Sequence, residues 1–262
     1  MKFLCVIGDP VKHSKSPRIH NNAIKSLGLD GIYTRYHLQE ESELRNLFFK
    51  LKLNGANITL PFKEQALKIA DIKDKFAQEI GSANTLVLKN NQLYAYNTDA
   101  TGFLKAIEDF KTIKKALILG AGGTARSIAF ALKQREIQLC IANRSKERLE
   151  HFKAFQSVVY EDLRDFDFDF VVNTTSAGLN DENLPCDKKI LDKILSHSKY
   201  AFEVIYGKQT PFLKLCKQYQ VEYKDGLLML LWQGVFAFEL FFDIKNQQEK
   251  IKSAMLEALN LK

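Results

Sequence analysis

The chain has 262 residues, 46% hydrophobic and 26% charged, with a formal net charge of +7. This composition excludes a disordered or fibrous chain and suits one large or two modest domains at roughly 100–200 residues each. The 38 Lys and Arg are spread rather than gathered in a block, which favours small anionic ligands over nucleic acid, although a functionally silent basic surface accounts for the charge equally well.

Phe3 to Ile7 reads as a buried strand ended by Gly8-Asp9-Pro10, and a helix over Pro17 to Leu27 follows with Pro at its first position. Ser14 and Ser16 put two hydroxyls beyond the strand's carboxyl end and before the helix, where open α/β sheets bind ligands. Turn and cap chemistry explains the same serines. Ile32 to Leu38 predicts a second strand and Glu41 to Leu51 a helix. Asn57 to Leu60 is a short strand; Pro61 ends it and begins a helix carrying Lys63. A cation in a first helical turn opposes the macrodipole, so Lys63 is either solvated or placed to serve an anion. Ile80 to Leu88 is a loop, bearing Asn84, that feeds a strand. Tyr94 to Gly102 is a strand end running into a helix over Thr101 to Phe110, with Asp99 as an N-cap or a functional carboxylate. The polar groups Ser14/Ser16, Thr59/Lys63, Asn84 and Asp99 are expected to converge on one rim of one sheet.

Lys114 to Leu132 has the order strand, glycine turn, helix. Ala116 to Leu119 forms the strand; Gly120, Ala121, Gly122, Gly123, Thr124 and Ala125 form the turn and helix start. Gly120 permits the tight turn, Gly122 lets a pyrophosphate approach the backbone, and Ala125 allows close helix–strand packing. The helix start offers N–H groups to phosphates. Either a dinucleotide or a ligand-free βα turn satisfies the glycines alone. The next strand, Ile137 to Ala142, ends in Asn143-Arg144-Ser145, with Arg148 beyond. An acidic residue about 20 positions past the glycines would hold the ribose 2′-OH of NAD. Arg144 and Arg148 in its place suit the 2′-phosphate of NADP, the alternative being surface Arg on a following helix.

Strands over Phe168 to Val172, Tyr200 to Ile205 and Val221 to Tyr223, with a helix over Phe212 to Tyr219, continue the alternation of a parallel sheet covered on both faces. Asn180 to Asp187 reads as an exposed loop, and helices over Leu227 to Phe242 and Gln247 to Leu261 close the chain. The apolar Leu227 to Phe242 run is interrupted by Gln233, Gly234 and Glu239 and is shorter than the roughly 20 residues of a membrane span. The N-terminus predicts no signal peptide. Cys5, Cys140, Cys186 and Cys216 are far apart, and the five histidines show no metal-ligand spacing, so the expectation is a cytoplasmic protein without disulfides or a metal.

Taken together, these motifs resemble those of the shikimate dehydrogenase family. The likeness runs through Ser14-Lys15-Ser16-Pro17, Gly55 to Lys63, Gly81 to Thr85, Asn97-Thr98-Asp99 with Gly102, Gly120 to Ala125, Asn143 to Ser145, Asn173 to Gly178 and Gln233-Gly234. One departure is visible: Tyr206-Gly207-Lys208-Gln209-Thr210-Pro211 lacks the first Pro of the family's Tyr-x-Pro pattern. The resemblance implies an α/β fold of two domains. Residues 1–99, completed by helices over 232–262, would be an open, mostly parallel α/β substrate domain; residues 100–231 would be a Rossmann-like NADP-binding domain, with the active site in the cleft between them. It also implies that Ser14, Ser16, Thr59, Asn84, Tyr206 and Gln233 hold the substrate and that Lys63 and Asp99 are the catalytic pair. Gly120, Ala121, Gly122, Gly123, Thr124, Ala125, Asn143, Arg144, Ser145, Arg148, Thr174, Thr175 and Gly226 would hold NADP(H). The implied reaction is reversible reduction of 3-dehydroshikimate to shikimate by NADPH, in a monomer or homodimer with no nucleic-acid or membrane partner. Two alternatives stand beside it: an NAD-using quinate/shikimate dehydrogenase, against which Arg144 argues, and a non-catalytic NADP- or metabolite-binding paralogue, against which Lys63 and Asp99 argue.

The residue types fit that chemistry. Hydride addition to a ketone puts negative charge on its oxygen, which a positioned proton donor stabilises as it develops. Lys63 supplies both a cation and a proton, and Asp99 would orient it. Hydroxyl and carboxamide side chains suit a polyhydroxylated ring, because a site built for hydroxyls rejects analogues lacking them.

Overall fold

In the computed structural model, which describes residues 1–260, the first strand, β1 (Lys2–Gly8), feeds two cores: Leu4 and Val6 enter one, Cys5 and Ile7 the other. Alternate side chains of a strand point to opposite faces, so β1 lies inside a sheet covered on both sides. The chain forms two compact units, Met1–Gly102 together with the chain from Leu230 onward, and Phe103–Met229. The unit boundaries fall within two helices, α5 (Asp99–Ala106) and α9 (Leu227–Phe242). Leu261 and Lys262, which the expected last helix and C-terminal stretch include, lie outside the described residues.

The first unit continues with α1 (Ser16–Ser26), β2 (Gly31–His37), α2 (Leu44–Lys50), β3 (Gly55–Ile58), α3 (Lys63–Ile69), β4 (Ile72–Lys73), α4 (Lys75–Ile80), β5 (Thr85–Lys89) and β6 (Gln92–Tyr96). Its six-stranded sheet has the order β2-β1-β3-β5-β6-β4. Only β5 runs against the rest, antiparallel to both β3 and β6. The β5–β6 hairpin turns at Asn90 and Asn91, with φ of 49° and 62°, the left-handed pair that Asn tolerates in a two-residue hairpin. One face of this sheet packs on α1, α9 and α10 (Gln248–Asn260), the other on α2, α3 and α4. Helix α9 carries Leu231, Trp232, Val235, Ala237, Phe238 and Phe241 into that core. A helix apolar around most of its girth is a buried one, and among the described residues no helix is long and apolar enough to cross a membrane.

The second unit comprises β7 (Lys115–Leu119), α6 (Gly123–Lys133), β8 (Gln138–Asn143), β9 (Gln156–Val159), β10 (Phe170–Asn173), α7 (Lys188–Leu195), β11 (Tyr200–Glu203), α8 (Pro211–Gln218) and β12 (Glu222–Lys224). Its sheet, ordered β12-β11-β10-β7-β8-β9, is wholly parallel. Numbered within the unit, that is the doubly wound 3-2-1-4-5-6 order of a Rossmann domain. Leu117, Leu119, Cys140 and Val171 face a core completed by α7 and α8, while Phe103 of α5 stacks on Phe170 and meets Phe202 edge-on.

Three expected elements are corrected. The helix expected over Glu41 to Leu51 opens as a 3-10 turn, Glu41–Glu43, before α2. The helix expected from Pro61 starts at Lys63, after a turn through Pro61 and Phe62. The helix expected from Thr101 starts at Asp99, because the Asn97 carboxamide oxygen accepts from the backbone N–H of Asp99 at 3.1 Å and Ala100 at 3.4 Å. Asn97 therefore does the capping, and the Asp99 carboxylate is left for another partner.

Candidate active site

Lys63 is the first residue of α3 and only 8% exposed. A buried ammonium at a helix start faces both desolvation and the helix dipole, so it requires a compensating anion. Asp99 supplies it: Lys63 Nζ donates to Asp99 Oδ2 at 2.6 Å. The other carboxylate oxygen, Oδ1, accepts from Asn84 Nδ2 at 2.8 Å. Asn84 is fixed in turn, its Oδ1 accepting from the Thr98 backbone N–H at 2.7 Å and from Thr85 Oγ1 at 3.2 Å. Its Nδ2 also lies 3.4 Å from Gln233 Oε1.

The strand directions explain this meeting. Thr59, Lys63 and Asp99 follow the carboxyl ends of β3 and β6, whereas Asn84 precedes β5. Because β5 runs backwards, its amino end shares their rim. Helix α9 brings Gln233 there by crossing α5 closely: a Cβ on Gly102 would stand 2.7 Å from the Gln233 backbone nitrogen. Gly102→Ala is therefore expected to destabilise the protein by about 1–3 kcal/mol, as overpacking does. Urea unfolding checks this, and an unchanged midpoint contradicts the tight crossing.

Ser14 and Ser16 join the same network from β1's end. Ser14 Oγ donates to Ser16 Oγ at 3.1 Å and accepts from the Ser16 backbone N–H at 3.2 Å. Ser16 in turn bonds the Tyr33 phenol, whose pKa burial pushes well above its usual range, so it stays a donor. Tyr33 Oη donates to Asn57 Oδ1 at 2.7 Å, and Asn57 Nδ2 donates to Thr85 Oγ1 at 3.2 Å. A continuous polar path thus runs from Ser14 to the Lys63–Asp99 pair. Thr59 stands between β3 and α3, its backbone N–H donating to Ile7 O at 2.9 Å.

In the second unit, Gly120 has φ +102°, and a Cβ there would meet Thr174 Oγ1 at 2.6 Å. The Thr174 hydroxyl and backbone N–H both donate to Leu119 O at 2.8 Å, clamping the loop after β10 onto the glycine turn. A Cβ at Gly122 would meet nothing within 4 Å, so open space lies at the start of α6. No side chain caps that helix and no acidic residue occupies its first turn. This is a cradle with unopposed positive helix-dipole character, which fits a dinucleotide pyrophosphate. At the end of β8, Asn143 Nδ2 donates to Ser145 O at 2.9 Å and to Ser145 Oγ at 3.2 Å, while Arg144 and Arg148 are exposed.

Comparison with known proteins agrees with both units. Residues 6–86 match the family model described as "Shikimate dehydrogenase substrate binding domain", and residues 104–179 match "Shikimate / quinate 5-dehydrogenase". The shikimate dehydrogenase (NADP(+)) of Helicobacter hepaticus is 45% identical over 98% of this chain and 99% of its own. The chain belongs to the shikimate dehydrogenase family. Among solved members, the Aquifex aeolicus enzyme superposes with a TM-score of 0.88 at 33% identity, covering 100% of this chain and 98% of that one. The Thermus thermophilus enzyme, solved in complex with NADP(H) and shikimate, gives 0.85 at 32% identity, covering 98% and 100%.

Within this family member, the first unit brings together Ser14, Ser16, Asn84, Lys63, Asp99 and Gln233. Tyr206 belongs to the second unit, half-buried on the loop after β11. Gly226 follows β12, its N–H donating to Ile205 O at 3.2 Å. Residues that motif reading passed over also hold the site. Asn57 lies inside the Gly55 to Lys63 motif and links Tyr33 to Thr85; Asn97 and Thr98 position Asp99 and Asn84. For Asn57 the sequence signal was buried-strand polarity, an Asn inside the short apolar strand β3 needing a partner; Asn97 and Thr98 lie in the polar loop between β6 and α5 and carried no such signal.

Proposed function

We propose that this chain catalyses the reversible NADPH-dependent reduction of 3-dehydroshikimate to shikimate, in the cytoplasm, as a monomer or homodimer. The observation that carries the chemistry is the buried Lys63–Asp99 pair at 2.6 Å, tied by Asn84 to the polar rim of the first sheet. Membership of the family and the wholly parallel Rossmann unit support NADP(H) as cofactor, and the four free cysteines support a reducing compartment.

The cofactor, when bound, supplies the hydride. Lys63 then gives a proton to the oxygen that becomes the alcohol, and in the oxidative direction takes it back. Asp99 holds the Lys63 nitrogen in place through Oδ2, while Asn84 fixes its other oxygen. A carboxylate so held orients the donor at no cost when charge develops. Ser14 and Ser16 bind the substrate carboxylate; Thr59, Asn84, Tyr206 and Gln233 bind hydroxyls. In the second unit, the turn from Gly120 to Ala125 holds the pyrophosphate, with Thr174, Thr175 and Gly226 lining the same site. Asn143, Arg144, Ser145 and Arg148 bind the 2′-phosphate.

Oxidation rates of shikimate and quinate, each with NADP and with NAD, test this reading. The expected ranking places shikimate with NADP highest in kcat/KM. Quinate with NAD in first place overturns the assignment, and no oxidation of any pair points to a binding paralogue.

A further inference from the structure

Strand β11 reads Tyr-Ala-Phe-Glu, and its one carboxylate, Glu203, is fully buried. Its partners are all donors. The Ile205 backbone N–H donates to Oε1 at 3.1 Å; Asn173 Nδ2 and Thr210 Oγ1 donate to Oε2 at 2.8 and 3.1 Å. Two of these side chains are oriented by backbone groups beyond them. Asn173 Oδ1 accepts from the Thr175 backbone N–H at 3.0 Å and from Thr175 Oγ1 at 2.8 Å, so its amide nitrogen faces Glu203. Thr210 Oγ1 accepts from the Leu213 N–H at 3.2 Å, the N-cap of α8, which leaves its proton for Glu203.

The loop from Asn173 to Gly178 is held at both ends by this arrangement. At one end Thr174 and Thr175 press against Gly120, where a Cβ would meet Thr174 Oγ1 at 2.6 Å and Thr175 Cγ2 at 3.1 Å. At the other, a Cβ on Gly178 would meet Pro211 Cδ at 3.0 Å and Thr210 Cβ at 3.1 Å. Glu203 sits beneath, bonded to Asn173 on one side and Thr210 on the other. We infer that Glu203 is a positioning residue for the cofactor: it acts through Asn173 and Thr210 to set the Thr174–Thr175 loop against the glycine turn, without touching the dinucleotide itself. The inference rests on the reading that this unit binds NADPH.

The three donors around Glu203 are matched by its ionised form, which only accepts. A Gln at 203 places its NH2 either against the Ile205 N–H or against the Asn173 NH2, and neither partner can turn without stranding a backbone N–H. Burial pushes the Glu203 carboxyl up to about 7, opposed by hydrogen bonds from Ile205, Asn173, Thr210 and Val204, so the variants are compared well above that pH, where the acceptor-only carboxylate prevails; the Cys216 thiol of α8 lies within its electrostatic reach. Burying so costly a group at the base of one loop is an expense with a structural return only if that loop's position matters.

The test compares wild type, Glu203→Gln and Glu203→Asp by fluorescence titration of NADPH, with kcat and the KM for 3-dehydroshikimate measured at saturating NADPH and folding checked by circular dichroism. The Gln variant is expected to bind NADPH about tenfold more weakly, the loss of one well-made buried polar contact. The Asp variant, acceptor-only but one methylene shorter, is expected between wild type and Gln. Saturating kcat and the KM for 3-dehydroshikimate should stay near wild type, a split that general destabilisation does not produce. An NADPH Kd equal to wild type in whichever variants fold overturns the inference alone. A wild type that binds no NADPH overturns the functional reading and this inference with it.

Discussion

Replacing Lys63 by Ala is expected to lower kcat by roughly 10²–10⁴-fold, the range lost with a general acid–base group. The substitution removes the proton donor and leaves the Asp99 carboxylate buried, 7% exposed, without its 2.6 Å partner. Breaking a buried pair costs about 3–5 kcal/mol, so turnover must be measured on protein shown to be folded. Asp99→Asn separates the two effects. It keeps an oxygen to accept from Asn84 or from Lys63 but drops the charge, so substrate binding should survive better than turnover. In a double-mutant cycle the two losses should be far from additive, because the residues act as one unit. Near-normal turnover by Lys63→Ala removes it from the chemistry.

Arg144→Asp is expected to raise the Kd for NADPH by about 10–100-fold, the worth of charge-assisted bonds to a phosphate, and to leave NADH binding unchanged or improved. Arg144 is exposed at the end of β8, beside a loop pinned by the Asn143–Ser145 hydrogen bonds. Its substitution should therefore spare the fold. An introduced carboxylate repels a 2′-phosphate and can accept from a ribose 2′-OH. Equal effects on both cofactors contradict the 2′-phosphate contact.

Much of this was legible in the chain, for reasons that differ by element. The β7 turn and α6 announced themselves because glycine chemistry is local: a positive φ at Gly120 and an open helix start are written in adjacent residues. The Rossmann strands buried on both faces read as continuous apolar runs. The pairing of Lys63 with Asp99 was different. They are 36 residues apart; their positions after strand ends put both on one rim, but only the resemblance made them a catalytic pair. What brings Asn84 to them is the reversal of β5, and its signal, the Asn90-Asn91 hairpin turn, was present but passed over. The short edge strands β4 and β9 gave no usable period: β4 has two exposed residues and β9 four residues, none fully buried. Asp99 looked like a cap because Asp favours that position, yet Asn97, two residues earlier, took the role and freed the carboxylate. Glu203 was hidden by its setting, since an acid within an apolar strand has meaning only once its donors are known.

The most direct test of the account is the purified chain mixed with NADPH and 3-dehydroshikimate, with NADPH absorbance followed and the product identified by chromatography. The account predicts NADPH consumed in step with shikimate formed, and its reversal on adding shikimate and NADP. Absence of oxidation by folded protein that binds NADPH would contradict it.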